Sequence, residues 1–193
     1  MKKIAVLCLL TLPLAAMAGV LLSESFDSGD LGGWTRDPGT TGQRWDISSA
    51  QYYDPDYGLV CPDGSNQDER IISPNVQLGN ANAVSFYWAT SYTWFVSPHS
   101  NGDYSLDICD VTDPGNWVEL WNEETEGSFN NWTWYNTVVE LDPSWNGKEV
   151  QFAWRIVVPS SAADVWLDAI TVYDEYYASV EESSFGQIKA MFE

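Results

Sequence analysis

The sequence is poor in positive charge, in histidine and in cysteine. Its 193 residues include eight Lys and Arg against 28 Asp and Glu, with one histidine and three cysteines, and the formal net charge is −20. Such an acidic surface repels nucleic acid and anionic lipid, so neither is expected as a partner. The chain has no apolar run of spanning length, so membrane insertion is not expected either.

The same scarcities argue against an enzyme. The single histidine, His99, lies in the turn-like stretch SPHSNGD, and no G-x-S-x-G elbow is present to supply a nucleophile for it. H-E-x-x-H and C-x-x-C pairs are also absent, so a zinc site has no support. A glycosidase needs only two carboxylates, and among 28 acidic residues such pairs carry no information. We therefore expect a non-catalytic protein.

The N-terminus has the pattern of a secretory signal peptide. Lys2 and Lys3 precede the apolar run 4–15, and Ala16-Met17-Ala18 is a small-x-small cleavage site. Residues 1–18 are thus predicted to be removed from an exported protein, destined for the extracellular space, the cell surface or the periplasm. Export permits a disulfide between Cys61 and Cys109, but their spacing leaves the pairing open.

The body of the chain predicts an all-β domain over residues 19–177. Short alternating runs rich in Val, Ile, Trp, Tyr and Phe are separated by Gly, Pro, Asn and Asp. This spacing of about nine strands indicates an antiparallel jelly-roll β-sandwich. The predicted strands lie near 20–26, 43–48, 70–78, 82–91, 103–111, 116–122, 131–141, 148–158 and 164–173.

The tail, residues 178–193, has a different pattern. Ser184-x-x-Gln187 can form a capping box, and apolar residues follow at helical spacing. A short C-terminal helix is predicted there. It serves either as a sorting or docking element or simply as a helix packed on the sandwich.

Five stretches, in order along the chain, resemble the cleaved-adhesin or "choice-of-anchor J" family, relatives of the MAM domain. They are LLSESFDSGDLGGWT, IISPNVQLGNANAVSFYW, GDYSLDICDVTDPGNWVELW, VVELDPSWNGKEVQFAWRI and VWLDAITV, and together they span residues 20–173. The resemblance implies a jelly-roll sandwich secreted or displayed on a bacterial surface. It also implies binding or adhesive roles and, often, structural calcium.

Two carboxylates are predicted to point among apolar side chains. On the last strand, alternation places Asp168 on one face with Trp166, Ile170 and Val172; on the first strand it groups Glu24 with apolar residues. An unpaired buried carboxylate is costly. One hypothesis is a shared structural Ca²⁺ held by Glu24 and Asp168, which the resemblance also implies. The alternative is hydrogen bonding to backbone N–H groups, or pairing with an arginine such as Arg155 or Arg70.

The eleven tryptophans have two interpretations, core packing or sugar stacking. Trp34, Trp88, Trp154 and Trp166 are predicted to be core residues. The most promising ligand-binding residues lie in the connection SYTWFVSPHSNGD, with QYYDPDYG as a second aromatic cluster. In that connection they are Tyr92, Trp94, Phe95 and His99. The alternative is that these rings fold back over the sandwich edge as a lid.

Three classes of function remain open. The first is an extracellular adhesive or protein-binding module. The second is a carbohydrate-binding module that acts with a glycan-degrading system. The third is a structural component of a surface layer. The expected partner is therefore an extracellular protein or a glycan.

Overall fold

The computed structural model describes residues 19–37 and 44–174, and the regular secondary structure within them is almost entirely β-strand. No helix in these two ranges is long and apolar enough to cross a bilayer. The predicted signal peptide and the predicted tail helix lie outside the described residues. The strands are β1 (Gly19–Glu24), β2 (Thr35–Asp37), β3 (Asp46–Ser48), β4 (Gly58–Cys61), β5 (Gln67–Ile72), β6 (Val76–Gln77), β7 (Ala83–Ala89), β8 (Asp103–Asp110), β9 (Val118–Asn122), β10 (Tyr135–Glu140), β11 (Glu149–Val158) and β12 (Val165–Asp174).

Two antiparallel sheets form a sandwich. Sheet A has the order β10-β7-β12-β4-β3, with β1 added along β12. Sheet B has the order β2-β5-β11-β8-β9, with β6 added along β11. The long strands β11 and β12 are central in their sheets, which confirms the predicted antiparallel β-sandwich.

The alternation of apolar and polar residues produces the core between the sheets. In β7, Val84, Phe86 and Trp88 point inward, and β11 does the same with every second residue. Trp34 and Trp154 pack ring to ring at 5.7 Å, and Phe86 meets Trp154 edge-on at 5.4 Å. Aromatic pairs of this kind stabilise a core beyond their buried area. The prediction of a core position is confirmed for Trp34, Trp88 and Trp154.

The strand predictions differ from the structure at short elements. The run predicted at 70–78 is divided at Ser73 and Pro74 into β5 and β6, because proline has no N–H for the ladder. The short strands β2 and β4 are not predicted. A single helical turn, α1 (Tyr92–Phe95), occupies the connection before β8.

Candidate functional site

Asp168 lies on the outer face of sheet A because β12 contains a β-bulge. The register with β7 shifts between Asp168 and Thr171, and Ala169 adopts a left-handed conformation with φ 47°. The extra residue reverses the alternation, so the core receives residues 165 and 167 before the bulge and 170 and 172 after it. The prediction that Asp168 shares a face with Ile170 and Val172 is therefore wrong. Trp166, which alternates with these inward residues, also lies outside the core cluster, although it is buried.

The Asp168 carboxylate is nevertheless fully buried, at 0% exposure. Its Oδ2 accepts hydrogen bonds from the backbone N–H groups of Tyr53 and Asp54 at 2.8 and 3.0 Å, and Oδ1 accepts one from Ala169 at 2.6 Å. Burial raises the pKa of Asp168; these hydrogen bonds act in the opposite direction, and the charge of Asp27 adds to the rise. Backbone N–H groups are thus the partners of this carboxylate, and Asp168 fastens the segment between β3 and β4 to the sheet.

The contacts of Asp168 do not fit a calcium ligand. Three N–H donors, each with a positive hydrogen, already face its two oxygens, whereas Ca²⁺ needs oxygen ligands around it. Glu24 is the register partner of the core residue Ile170, so its side chain lies on the inner face of sheet A, opposite to Asp168. There its Oε1 accepts a hydrogen bond from the N–H of Phe26 at 2.8 Å. In the two described ranges no three His, Cys, Asp or Glu side chains gather as a metal site. Structural calcium stays a prediction without support from these contacts.

The segment that Asp168 holds carries an exposed ring onto the sheet. Tyr53, 47% exposed, stacks on Tyr87 of β7 with ring centroids 3.5 Å apart and an interplanar angle of 14°. Trp134, just before β10, meets Tyr53 edge-on at 6.2 Å. We call Tyr53, Tyr87 and Trp134 the aromatic surface. It is a group of rigid rings with little conformational freedom to lose on binding, which suits a protein surface that meets a partner.

The four residues predicted as a ligand site in the 91–103 connection are not all at the surface. Phe95 is fully buried in the core, and Tyr92 is half-buried with its ring edge-on to Phe129 at 5.1 Å. Trp94 is exposed and stacks on His99 with centroids 4.3 Å apart. The predicted site is therefore confirmed as a surface only in part. Phe95 and Tyr92 pack toward the core, whereas Trp94 and His99 lie at the surface.

The two cysteines described by the structure are both free and buried. Cys61 is a core residue of β4 in sheet A, whereas Cys109 lies in β8 of sheet B and is absent from the core cluster. Burial raises the pKa of the Cys61 thiol well above its ordinary value, which keeps it protonated and unreactive. The disulfide that the sequence left open is not formed.

Comparison with solved structures supplies the deciding observation on the fold. The chain is similar to the K3 cleaved adhesin domain of Lys-gingipain from Porphyromonas gingivalis W83, with a TM-score of 0.61 and 17% identity over 82% of this chain and 99% of that one. The K1 domain of the same protein gives a TM-score of 0.60 at 18% identity, covering 80% of this chain and 98% of that one. The fold is a jelly-roll β-sandwich.

Carbohydrate-binding modules share this fold. TmCBM61, solved in complex with β-1,4-galactotriose, has a TM-score of 0.54 at 13% identity, with 77% of this chain and 93% of that chain covered. No protein-family model matches the chain, and no curated protein does. At these identities the likeness establishes the fold alone.

Proposed function

We propose that the protein is a non-catalytic extracellular binding module that engages its partner through the aromatic surface. The observation that carries this proposal is the position of Tyr53. A tyrosine ring nearly half exposed lies flat on Tyr87, and its own backbone N–H is fixed by the buried Asp168. The stack itself stabilises the fold, but it also holds a large, partly exposed ring in a fixed position, which is the arrangement found where a protein surface meets a partner.

Several features support the absence of catalysis. The only histidine, His99, stacks on Trp94. Asp168, a buried carboxylate with a raised pKa, has its oxygens directed to backbone N–H groups rather than to open solvent. Neither group has the geometry of a general base beside a nucleophile. Export, proposed from the N-terminal sequence, would place the module outside the cell.

The partner is proposed to be an extracellular protein, with a glycan as the second candidate. The structural likeness to adhesin domains of Lys-gingipain is in line with the first. The second is favoured by the flat presentation of Tyr53, because aromatic rings stack well on the apolar faces of sugars, and by the shared fold with TmCBM61.

The test measures binding to an immobilised panel of extracellular-matrix proteins and to a glycan array. Tyr53→Ala and Trp134→Ala should each weaken binding by about 1–3 kcal/mol, roughly 5- to 150-fold. Val138→Ala is the matched control, since Val138 is exposed on β10 but lies outside the aromatic surface. If both aromatic variants bind as tightly as the wild type while melting normally, this surface is not the binding site.

A further inference from the structure

Strand β10 is an unprotected edge of sheet A. It stands at one end of the order β10-β7-β12-β4-β3 and pairs with β7 over all six of its residues without a register shift. Its sequence, YNTVVE, contains no Pro, Gly, Lys or Arg. An edge strand has unpaired backbone groups on its free side, and proteins usually shield them with short strands, proline, lysine or bulges. β10 has none of these features.

The other strands at the edges of the two sheets are short or irregular. β2 and β3 have three residues each, and β6 has two. The pairing of β1 with β12 shifts register between Val20 and Leu22, and the pairing of β9 with β8 shifts between Leu106 and Asp107. Within the described ranges, β10 is therefore the edge best suited to accept another strand.

The hydrogen bonds to β7 fix which backbone groups of β10 point outward. The ladder continues just past the strand, where the Leu141 N–H donates to the Asn82 carbonyl at 2.9 Å. Bonded and non-bonded pairs alternate along an antiparallel ladder. Asn136, Val138 and Glu140 therefore direct their N–H and C=O groups away from β7. Among the described residues, these three outward N–H groups have no hydrogen-bond partner.

The free side of β10 is open to solvent. The side chains of Asn136, Val138 and Glu140 are all exposed on the outer face of sheet A. No second strand of the described ranges lies beside β10 on this side. Asn136 is the register partner of Tyr87, and Trp134 comes just before the strand, so the free edge runs alongside the aromatic surface.

Charge favours a basic partner over a second copy of the chain. Residues 71–147, which include β7 and β10, contain no Lys or Arg, and Glu140 lies on the edge itself. Pairing β10 with the β10 of a second copy would bring together two chains that each have a formal net charge of −20. A segment that carries Lys or Arg gains an opposite-charge contact instead, and such a pair across two strands is stabilising.

We infer that β10 accepts an extended segment of an extracellular protein as an additional strand, with a Lys or Arg of that segment beside Glu140. This inference rests on the proposed function, because it takes the partner to be a protein. The outward N–H and C=O groups supply main-chain hydrogen bonds, which give affinity in this mode of binding. Alternate side chains of the segment lie on the same face as the aromatic surface and give specificity.

The experiment selects binders of the wild-type protein from a phage-displayed library of random short peptides and titrates the most enriched peptide by calorimetry. We expect this peptide to contain Lys or Arg and to bind less tightly at high salt. Two copies of it are then N-methylated at alternate backbone nitrogens, one copy in each frame. One frame should bind about tenfold or more weakly and the other about as before, because only one edge of an added strand bonds to β10.

Variants of β10 test the same interaction from the protein's side. Val138→Pro removes an outward N–H and places the proline ring on the free edge, while β7 loses no hydrogen bond. It should weaken peptide binding about tenfold or more, whereas the matched control Val138→Ala keeps the N–H and should stay within about threefold of the wild type. If Val138→Pro folds poorly, Glu140→Gln still applies: it should weaken binding about threefold or more and reduce the salt dependence.

Four results would overturn this inference. They are no enriched peptide, enrichment of acidic peptides alone, equal binding of the two N-methylated frames, and unchanged binding by a folded Val138→Pro. A wild-type protein that dimerises, with Val138→Pro monomeric, would also overturn it, because a second copy would then occupy the edge.

The proposed function fails or stands separately. Peptide binding lost in Val138→Pro but kept in Tyr53→Ala and Trp134→Ala would support strand addition and reject the aromatic surface as the binding site. The reverse pattern would reject strand addition and leave the proposed function in place.

Discussion

Glu123 is expected to make the protein less stable as the pH rises from mildly acidic to mildly alkaline. It begins the short 3₁₀ turn Glu123–Glu126 after β9, and its side chain is fully buried. Oε2 accepts a hydrogen bond from the Tyr104 N–H at 2.8 Å, but Oε1 has no partner in the described part of the chain. Burial is the main cause that raises the pKa of Glu123 from 4.5 to about 8.

The direction of the effect follows from proton binding. Above about pH 4.5 the unfolded chain loses this proton, whereas the folded protein keeps it until about pH 8. Rising pH therefore lowers the free energy of unfolding across this window, and at higher pH the loss of stability stays constant. At about 1.4 kcal/mol for each pKa unit, the free energy of unfolding falls by as much as about 5 kcal/mol.

The assay is urea unfolding, followed by tryptophan fluorescence, at intervals from pH 5 to pH 9. Glu123→Gln keeps the shape and stays neutral, and its amide oxygen can still accept from Tyr104. It should match the wild type at pH 5 within about 1 kcal/mol and exceed it by at least about 2 kcal/mol at pH 9. Glu124→Gln, at the exposed neighbour, is the control for a general charge effect. Parallel stability curves for wild type and Glu123→Gln would refute the reasoning.

Three further predictions concern Asp168, calcium and the 91–103 connection. Asp168→Asn should lower the free energy of unfolding in urea by about 2–4 kcal/mol, because an amide nitrogen would face an N–H donor in a buried site; a loss below about 0.5 kcal/mol would contradict this. Calcium added to chelator-treated protein should leave the melting temperature unchanged, and a rise that Asp168→Ala abolishes would restore the predicted ion. Phe95→Ala should cost about 3–5 kcal/mol in urea unfolding and Trp94→Ala less than about 1, since only Phe95 is a core residue; equal losses would show that Trp94 also supports the core.

The positions of the long strands could be predicted from the sequence because the side-chain period is local. In β7, β8 and β11 the alternation of residues predicts which side chains lie together on the apolar face. The same pattern located the core tryptophans of β7 and β11. Strands of three or four residues, such as β2 and β4, carry too few alternations to be recognised and form because longer neighbours supply their hydrogen bonds.

The candidate sites could be predicted from the sequence only in part. Tyr53 belonged to a recognised aromatic cluster, and Tyr87 could have been assigned to the outer face, since it alternates with the inward Phe86 and Trp88. Their stacking could not be predicted, because nothing in either segment specifies the other. Likewise the sequence predicted a strand near 131–141, but only the order of the strands places β10 at the edge of sheet A.

The sequence by itself determined the all-β class, the antiparallel sandwich, the inward tryptophans and the presence of a carboxylate at an unusual position on the last strand. Only the tertiary structure decided what that carboxylate does. Ala169 adopts a positive φ that no residue type there signals, and the resulting bulge is set by the register of β12 against β7. One inserted residue moves Asp168 to the outer face, beneath Tyr53. The sequence of one strand predicts the face on which a side chain lies only where the two paired strands keep a regular register. A bulge depends on how both strands pair, so the sequence of one strand does not predict it.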